Sequence, residues 1–110
     1  MTRREIERRV QGLVNAWQNI VQLHEAAGSW NSVTACGVDF GRRYARLTTI
    51  DQNPDHVGGY SACGFVDLTN GDILYAGGWN KPTKRKRGSV LDEDYGASAM
   101  RWHGVKNAGE

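Results

Sequence analysis

The sequence predicts an α+β domain in which a long N-terminal amphipathic helix packs on a three- to five-stranded, mainly antiparallel sheet. Three observations predict this fold class. Apolar residues recur at helical spacing up to Ala27, the next segment alternates as a strand does, and an Asn-Gly turn separates two further apolar runs. Because 110 residues is a common length for one domain, we expect residues 1–110 to form a single domain.

The helix is expected from about Arg3 to Ala27. Thr2 followed by Glu5 has the form of a capping box, and Gly28 stands where helices commonly end in the left-handed conformation. At about 37 Å, the helix would be longer than the diameter of so small a domain. This predicts that part of its apolar surface is uncovered and forms a homo-oligomer. The alternative is a helix that crosses the sheet and has a frayed end. The apolar stripe comprises Ile6, Val10, Leu13, Val14, Trp17, Ile20, Val21 and His24.

Two strands and a loop are expected next. A short strand from about Val33 to Phe40 would pair, through Gly41-Arg42, with a second strand. The run Asp51–Gly59 is rich in turn-forming residues and is expected to be an exposed loop. The alternating pattern of the second strand is carried by Tyr44, Ala45, Arg46, Leu47, Thr48 and Thr49.

The second half of the chain contains the strongest hairpin signal. Thr69-Asn70-Gly71 separates two strand-like runs, Ser61–Asp67 and Asp72–Gly78, and Asn-Gly readily supplies the positive φ angles of a tight turn. The basic segment Trp79–Gly88 is expected to be a loop. Three further elements are expected in chain order: a short strand at Ser89–Leu91, a brief helix from Asp92 to Trp102 and a loose tail from Gly104.

Several classes of protein are excluded by composition. No apolar run approaches the ~20 residues that cross a bilayer, and the N-terminus lacks the apolar region of a signal peptide. Cys36 and Cys63 have neither CxxC nor zinc-finger spacing, so we expect reduced, partly buried thiols in a cytoplasmic protein. The net charge is only +2, yet the positive charge is clustered, near the N-terminus and again in the segment after the hairpin.

The titratable residues predict neither a metal site nor catalysis. His24, His56 and His103 lie on separate predicted elements without ligand-type spacing, and no nucleophile motif is present. Asp67 and Asp72 bracket the hairpin turn, where aspartate normally caps backbone amides. We therefore expect a protein that is not an enzyme and needs no cofactor.

The basic loop is the predicted binding site. It lacks the spacing of a nucleotide-hydrolysing phosphate loop, but its glycines admit an anion to the backbone, its cations neutralise phosphate, and Trp79 offers a face for stacking. The alternative is that Trp79 caps the core and the cations are solvated, near the acidic run Asp92–Asp94. Trp17 is expected in the core, and Trp30 and Trp102 either in the core or on a ligand face. The predicted ligand-binding residues are Trp79, Lys81, Lys84, Arg85, Lys86 and Arg87.

The segment Phe65–Lys84 resembles small uncharacterised proteins of tailed bacteriophages, in which a hairpin with a Thr/Asn-Gly-Asp turn leads into Trp, Pro, Lys and Arg-Gly. Arg87–Gly96 is similar to the same family, which favours Asn where this chain has Ser89. The resemblance covers about a third of the chain and leaves the long helix unmatched. It implies a phage origin and the host cytoplasm. Small early phage proteins are often inhibitors of host defences, some by sequestering nucleotide signals.

These observations lead to one expectation and two alternatives. We expect a non-enzymatic phage protein that binds a phosphate-bearing ligand, with counter-defence by sequestration of a nucleotide immune signal as the role. One alternative is a nucleic-acid-binding protein that uses the same loop. The other is a protein-interaction module that inhibits a host complex or serves in the virion through the long helix.

Overall fold

A computed structural model describes residues 1–28, 34–51 and 61–107. The fold is α+β, as predicted: one long helix packs on a five-stranded antiparallel sheet of order β1-β2-β3-β4-β5, beside a small two-stranded sheet. The elements in chain order are α1 (Arg3–Ala27), β1 (Thr34–Phe40), β2 (Tyr44–Asp51), β3 (Ser61–Asp67), β4 (Asp72–Ala76), β5 (Pro82–Ser89), a 3-10 helix (Ala97–Ala99), β6 (Met100–Arg101) and β7 (Gly104–Val105).

Helix α1 has the predicted bounds. The hydroxyl of Thr2 accepts a hydrogen bond from the backbone N–H of Glu5 at 3.2 Å, as expected for an N-cap. The prediction for Gly28 is wrong, because it has φ −87° and ψ −2°, in the right-handed region. Its N–H still donates to the carbonyl of His24, so the helical hydrogen bonding continues through this residue.

The apolar stripe of α1 is covered by the same chain. The helix packs on β1, on the 3-10 helix and on β6, and the molecule is 41 Å in its longest dimension, so the helix fits along it. An uncovered stripe therefore gives no reason for a homo-oligomer. The buried residues of the stripe are Ile6, Val10, Leu13, Val14, Trp17 and Val21, and Ile20 is partly buried against them.

The sheet has one covered face and one open face. Strand alternation directs Ala45, Leu47 and Val66 toward α1 and the small sheet, where they join the core. Arg46 and Phe65 point the opposite way, to the face that we call the open face. No helix or strand within residues 1–28, 34–51 and 61–107 lies across it.

The strand β5 corrects the sequence prediction. Residues expected to form a basic loop, Trp79–Gly88, contribute only a short turn before Pro82 and then an edge strand that pairs antiparallel with β4. The strand predicted at Ser89–Leu91 is also wrong beyond Ser89, because Val90 and Leu91 lie in a turn. The hairpin β3–β4 is confirmed, with Gly71 at φ 82° in its turn.

The C-terminal predictions are wrong as well. Tyr95 and Gly96 have φ angles of 58° and 86°, which interrupt any α-helix from Asp92 to Trp102. The start of the predicted tail, Gly104 and Val105, is not loose: it pairs with β6 in a hairpin, and Val105 is 1% exposed. The predicted loop after Asp51 lies outside the described residues, as do Trp30 and His56.

Candidate functional site

The structure divides the predicted basic site between two faces of the sheet. Lys86 lies opposite Leu74 on the open face, and Arg87 lies against the Tyr75 ring on the helix side. Strand alternation puts Lys84 with Lys86 and Arg85 with Arg87, in a stretch where the register with β4 shifts. Trp79 and Lys81 lie in the turn between β4 and β5. These cations therefore do not converge on a single phosphate-binding site, because successive side chains of a strand point to opposite faces of the sheet.

Two of the five cations already have intramolecular partners. The ammonium of Lys86 lies 3.6 Å from a carboxylate oxygen of Asp72, and the guanidinium of Arg87 lies 5.7 Å from the centroid of the Tyr75 ring. Lys84 and Arg85 are exposed, with no ion pair to any described residue. The acidic run Asp92–Asp94, considered in the sequence as a neutralising group, forms none of these contacts.

Trp79 is 43% exposed and belongs to the open face rather than the core. The guanidinium of Arg46 lies 4.3 Å from the centroid of a Trp79 ring, and its Nε donates to the Trp79 carbonyl at 2.8 Å. Arg46 also donates to the side-chain carbonyl of Asn80 and lies 3.7 Å from a carboxylate oxygen of Asp39. One arginine thus holds the Trp79 turn against the sheet.

A cleft that sequence reasoning missed lies beside this turn. Its volume is about 420 Å³, and it brings together the β1–β2 turn, the open face of β2 and β3, and the start of β5. Three arginines from one short stretch of sequence meet there because the turn and the strand that follows it border the same space. The lining residues are Asp39, Phe40, Gly41, Arg42, Arg43, Tyr44, Arg46, Phe65, Asn80 and Pro82.

The floor of the cleft is aromatic. Phe65 is 3% exposed, and Tyr44 meets it edge to face with ring centroids 6.3 Å apart. The guanidinium of Arg43 lies 5.1 Å from the Tyr44 ring, and that of Arg46 lies 6.0 Å from the Phe65 ring. The cleft therefore places aromatic rings next to positively charged guanidinium groups.

The charges of the cleft are held by specific bonds. Arg43 lies 3.3 Å from Asp67; burial tends to raise the pKa of Asp67, but hydrogen bonds from Thr69 and the charge of Arg43 outweigh it and lower that pKa. Arg3 donates to the carbonyls of Gly41 and Arg42, which ties the β1–β2 turn to helix α1. The Arg42 guanidinium itself has no ion pair among the described residues.

Other candidate residues have structural roles. His24 stacks on Trp102 with ring centroids 4.4 Å apart, and Trp102 is otherwise half exposed. Asp67 caps the hairpin turn by accepting from the N–H and hydroxyl of Thr69. Backbone N–H groups of Ser98 and Gly96 donate to Asp94 and lower the pKa of its carboxyl.

The two cysteines are free and partly buried, as predicted. Burial, with smaller contributions from Cys63 and Glu25, raises the pKa of Cys36 to about 12. Burial also raises the pKa of Cys63, against a hydrogen bond from Thr49. Within the described ranges, no three His, Cys, Asp or Glu side chains form a group that would hold a metal ion.

Comparison with known proteins identifies a family without a known activity. The model of a family of unknown function (DUF7717) matches residues 3–108, a range that contains every described helix and strand. No curated protein and no solved structure matches the chain.

Proposed function

We propose that this chain, which belongs to that family of unknown function, is a non-catalytic protein that binds a phosphate-bearing ligand of nucleotide size in the open-face cleft. Arg42 supplies charge for the phosphate, Arg46 and Arg43 shape the walls, and Trp79 stands beside the cleft to stack on a base. The site is thus displaced from the basic segment of the sequence toward the β1–β2 turn.

The observation that carries the proposal is the convergence of three arginines on an aromatic floor. The lining has three arginines against one aspartate, so its formal charge is 3 − 1 = +2. Asp39 already pairs with Arg46, and Arg43 with Asp67. Arg42 remains as the cation whose charge no described acid neutralises, and arginine binds phosphate oxygens through two parallel N–H donors.

The size of the cleft favours a small ligand. A volume of about 420 Å³ falls in the range of small-molecule sites, roughly 300–1,000 Å³. The cleft is bounded on one side by Pro82 and by Asn80, whose side-chain carbonyl accepts a hydrogen bond from Arg46. Preformed walls reduce the ordering cost of binding.

One observation favours a nucleic acid as the second candidate. Lys84 and Lys86 continue along the open face from the cleft edge at Pro82, at about 7 Å spacing for alternate strand residues. A backbone lying on this row would place successive phosphates near cations. In that case the affinity would fall steeply with salt, by a log–log slope of roughly −0.7 per phosphate contacted on a single strand.

Isothermal titration with mono-, di- and cyclic oligonucleotides tests the proposal. We expect low-micromolar affinity with a shallow salt slope, and a loss of roughly tenfold or more in Arg42→Ala, since charge-assisted hydrogen bonds are lost. Arg4→Ala removes the same charge from an exposed position on α1 and is the control. Binding to long polymers alone would favour the nucleic-acid alternative, and equal affinity of the two variants would exclude the cleft.

The biological role rests on the phage resemblance. A nucleotide-binding protein made early in infection would act in the host cytoplasm by lowering the free concentration of an immune signal. No helix within the described ranges has the length and apolarity to span a membrane. Inhibition of a host complex through protein contact is the remaining alternative.

Self-association through α1 is also a proposal, and it requires a surface other than the buried stripe. Leu23, at 72%, is the most exposed of the large apolar side chains of α1. Light scattering at micromolar concentration distinguishes an oligomer from a 12.2 kDa monomer.

A further inference from the structure

Strand β5 forms an edge of the five-stranded sheet, and its outer side pairs with no strand in the described part of the chain. An edge strand presents backbone N–H and C=O groups to which another strand can add. At eight residues, β5 is longer than the typical strand of about five to six residues. Its register with β4 shifts between Ile73 and Leu74 and again between Leu74 and Ala76, so β5 offers a long but irregular template for strand addition.

The four consecutive cations of β5 are distributed over both faces. Lys84 and Lys86 lie on the open face, Arg85 and Arg87 on the helix side. A ligand confined to one face reaches only one of these pairs. An extended segment along the edge has side chains that alternate in the same way, so it reaches both pairs at once.

We propose that the edge of β5 docks an acidic, extended peptide segment of a partner protein, which adds to the sheet as a sixth strand. Backbone hydrogen bonds would supply the register, and acidic side chains would face the cations as favourable cross-strand pairs. A second copy of β5 is disfavoured as occupant, because like charges directly opposite each other repel.

Several side chains of β5 that can donate hydrogen bonds have no acceptor or acidic partner among the described residues. Lys84 and Arg85 have no ion pair, and Lys86 shares a partly exposed pair with Asp72. The Nε of Arg87 and the hydroxyl of Thr83, in the same helix-side row, are buried without a hydrogen-bond partner. An acidic strand at the edge offers acceptors to this row when the Arg87 guanidinium turns from Tyr75 toward it.

This proposal does not depend on the open-face cleft. The cleft arginines come from the β1–β2 turn and β2, and the cleft meets β5 only at Pro82, the first residue of that strand. Arg42→Ala is therefore expected to leave peptide binding unchanged. Arg85→Gln is expected to leave nucleotide binding unchanged. A failure of the peptide proposal can therefore be distinguished from a failure of the nucleotide proposal.

Fluorescence anisotropy with an eight-residue peptide, four central glutamates flanked by valine and threonine, tests the edge. A second peptide carries N-methyl groups on all of its central residues, so that neither of its edges can donate hydrogen bonds to β5. We expect this N-methylated peptide to bind roughly tenfold or more weakly than the parent. Hydrogen exchange of residues 82–89 should slow when the parent peptide binds.

The protein variants complete the test. Arg85→Gln should weaken peptide binding severalfold, and Arg4→Gln, which removes a charge from α1, should not. No binding by the parent peptide would overturn the proposal and leave the edge cations as a guard against aggregation. Equal binding of the parent and the N-methylated peptide would also overturn it. A single-stranded oligonucleotide that binds in an Arg85-dependent manner would identify a nucleic acid instead.

Discussion

Arg46 contacts Trp79 in two ways at once: its guanidinium stacks 4.3 Å from the ring centroid, and its Nε donates to the Trp79 carbonyl at 2.8 Å. Lysine has neither a planar head nor an Nε donor. We expect Arg46→Lys to lower the free energy of unfolding by about 1–2 kcal/mol through the lost hydrogen bond and stacking. Urea denaturation measures this, with Arg42→Lys as the control.

Arg42 is the matched control because it is exposed and unpaired to any described acid. Its replacement by lysine keeps the charge and should change stability by less than about 0.5 kcal/mol. Equal effects at the two positions would mean that the Arg46 contacts do not hold the Trp79 turn.

The two tryptophans Trp17 and Trp79 should differ sharply in their effect on stability. Trp17 is 0% exposed in the core, and its truncation to alanine is expected to cost about 3–5 kcal/mol. Trp79 is 43% exposed, so Trp79→Ala should cost much less while weakening ligand binding. Thermal and urea denaturation with ligand titration separate these outcomes, and equal destabilisation would assign Trp79 to the core.

Gly104 is a position where a methyl group should not be accommodated. Its φ of 119° is unfavourable for other residues, and a Cβ there would lie 2.6 Å from the backbone oxygen of Cys63. We expect Gly104→Ala to destabilise by about 2–4 kcal/mol. In Gly78→Ala the nearest neighbour is the Lys81 side chain at 3.6 Å, so that variant should be nearly neutral. Circular dichroism melts would contradict this if the two variants behaved alike.

Asp67 should make stability depend on pH. Although burial opposes it, the bonds from Thr69 and Arg43 lower its pKa, so the ionised form stabilises the folded state above the unfolded pKa of about 3.9. That stabilisation is lost as pH falls through the folded pKa. Asp67→Asn should therefore be less stable than the natural chain at pH 7, with a gap that closes in acid. Urea denaturation from neutral to acidic pH measures the gap, and a constant gap would contradict this role.

Local signals in the sequence were sufficient for α1 and for the β3–β4 hairpin. Thr2 supplies the N-cap hydroxyl and Gly71 the positive φ, and both requirements lie within a few residues of the element that they define. Strand β5 was missed because Lys84–Arg87 lacks the apolar alternation by which a half-buried strand is identified. Its conformation is determined by pairing with β4, a partner that the periodicity of β5 cannot indicate.

The cleft and the C-terminal hairpin depend on contacts that are distant in sequence. Arg46 reaches Asn80, and Val105 packs where a side chain at Gly64 would collide with it. Neither pair is close enough in the chain to leave a motif. The predicted site therefore included Trp79, whose turn borders the cleft, but none of the cleft arginines Arg42, Arg43 and Arg46.

Helix α1 is covered in part by residues that come much later in the sequence, and this affects when the helix can pack during synthesis. Met100 and Val105 belong to the same core as Val10 and Trp17, so one side of α1 awaits partners that are translated much later than the helix itself. Until then its apolar side is open to chaperones and to aggregation, as in incompletely translated chains generally. Core formation joins segments that are far apart in the sequence, so native packing of α1 must follow the translation of Val105.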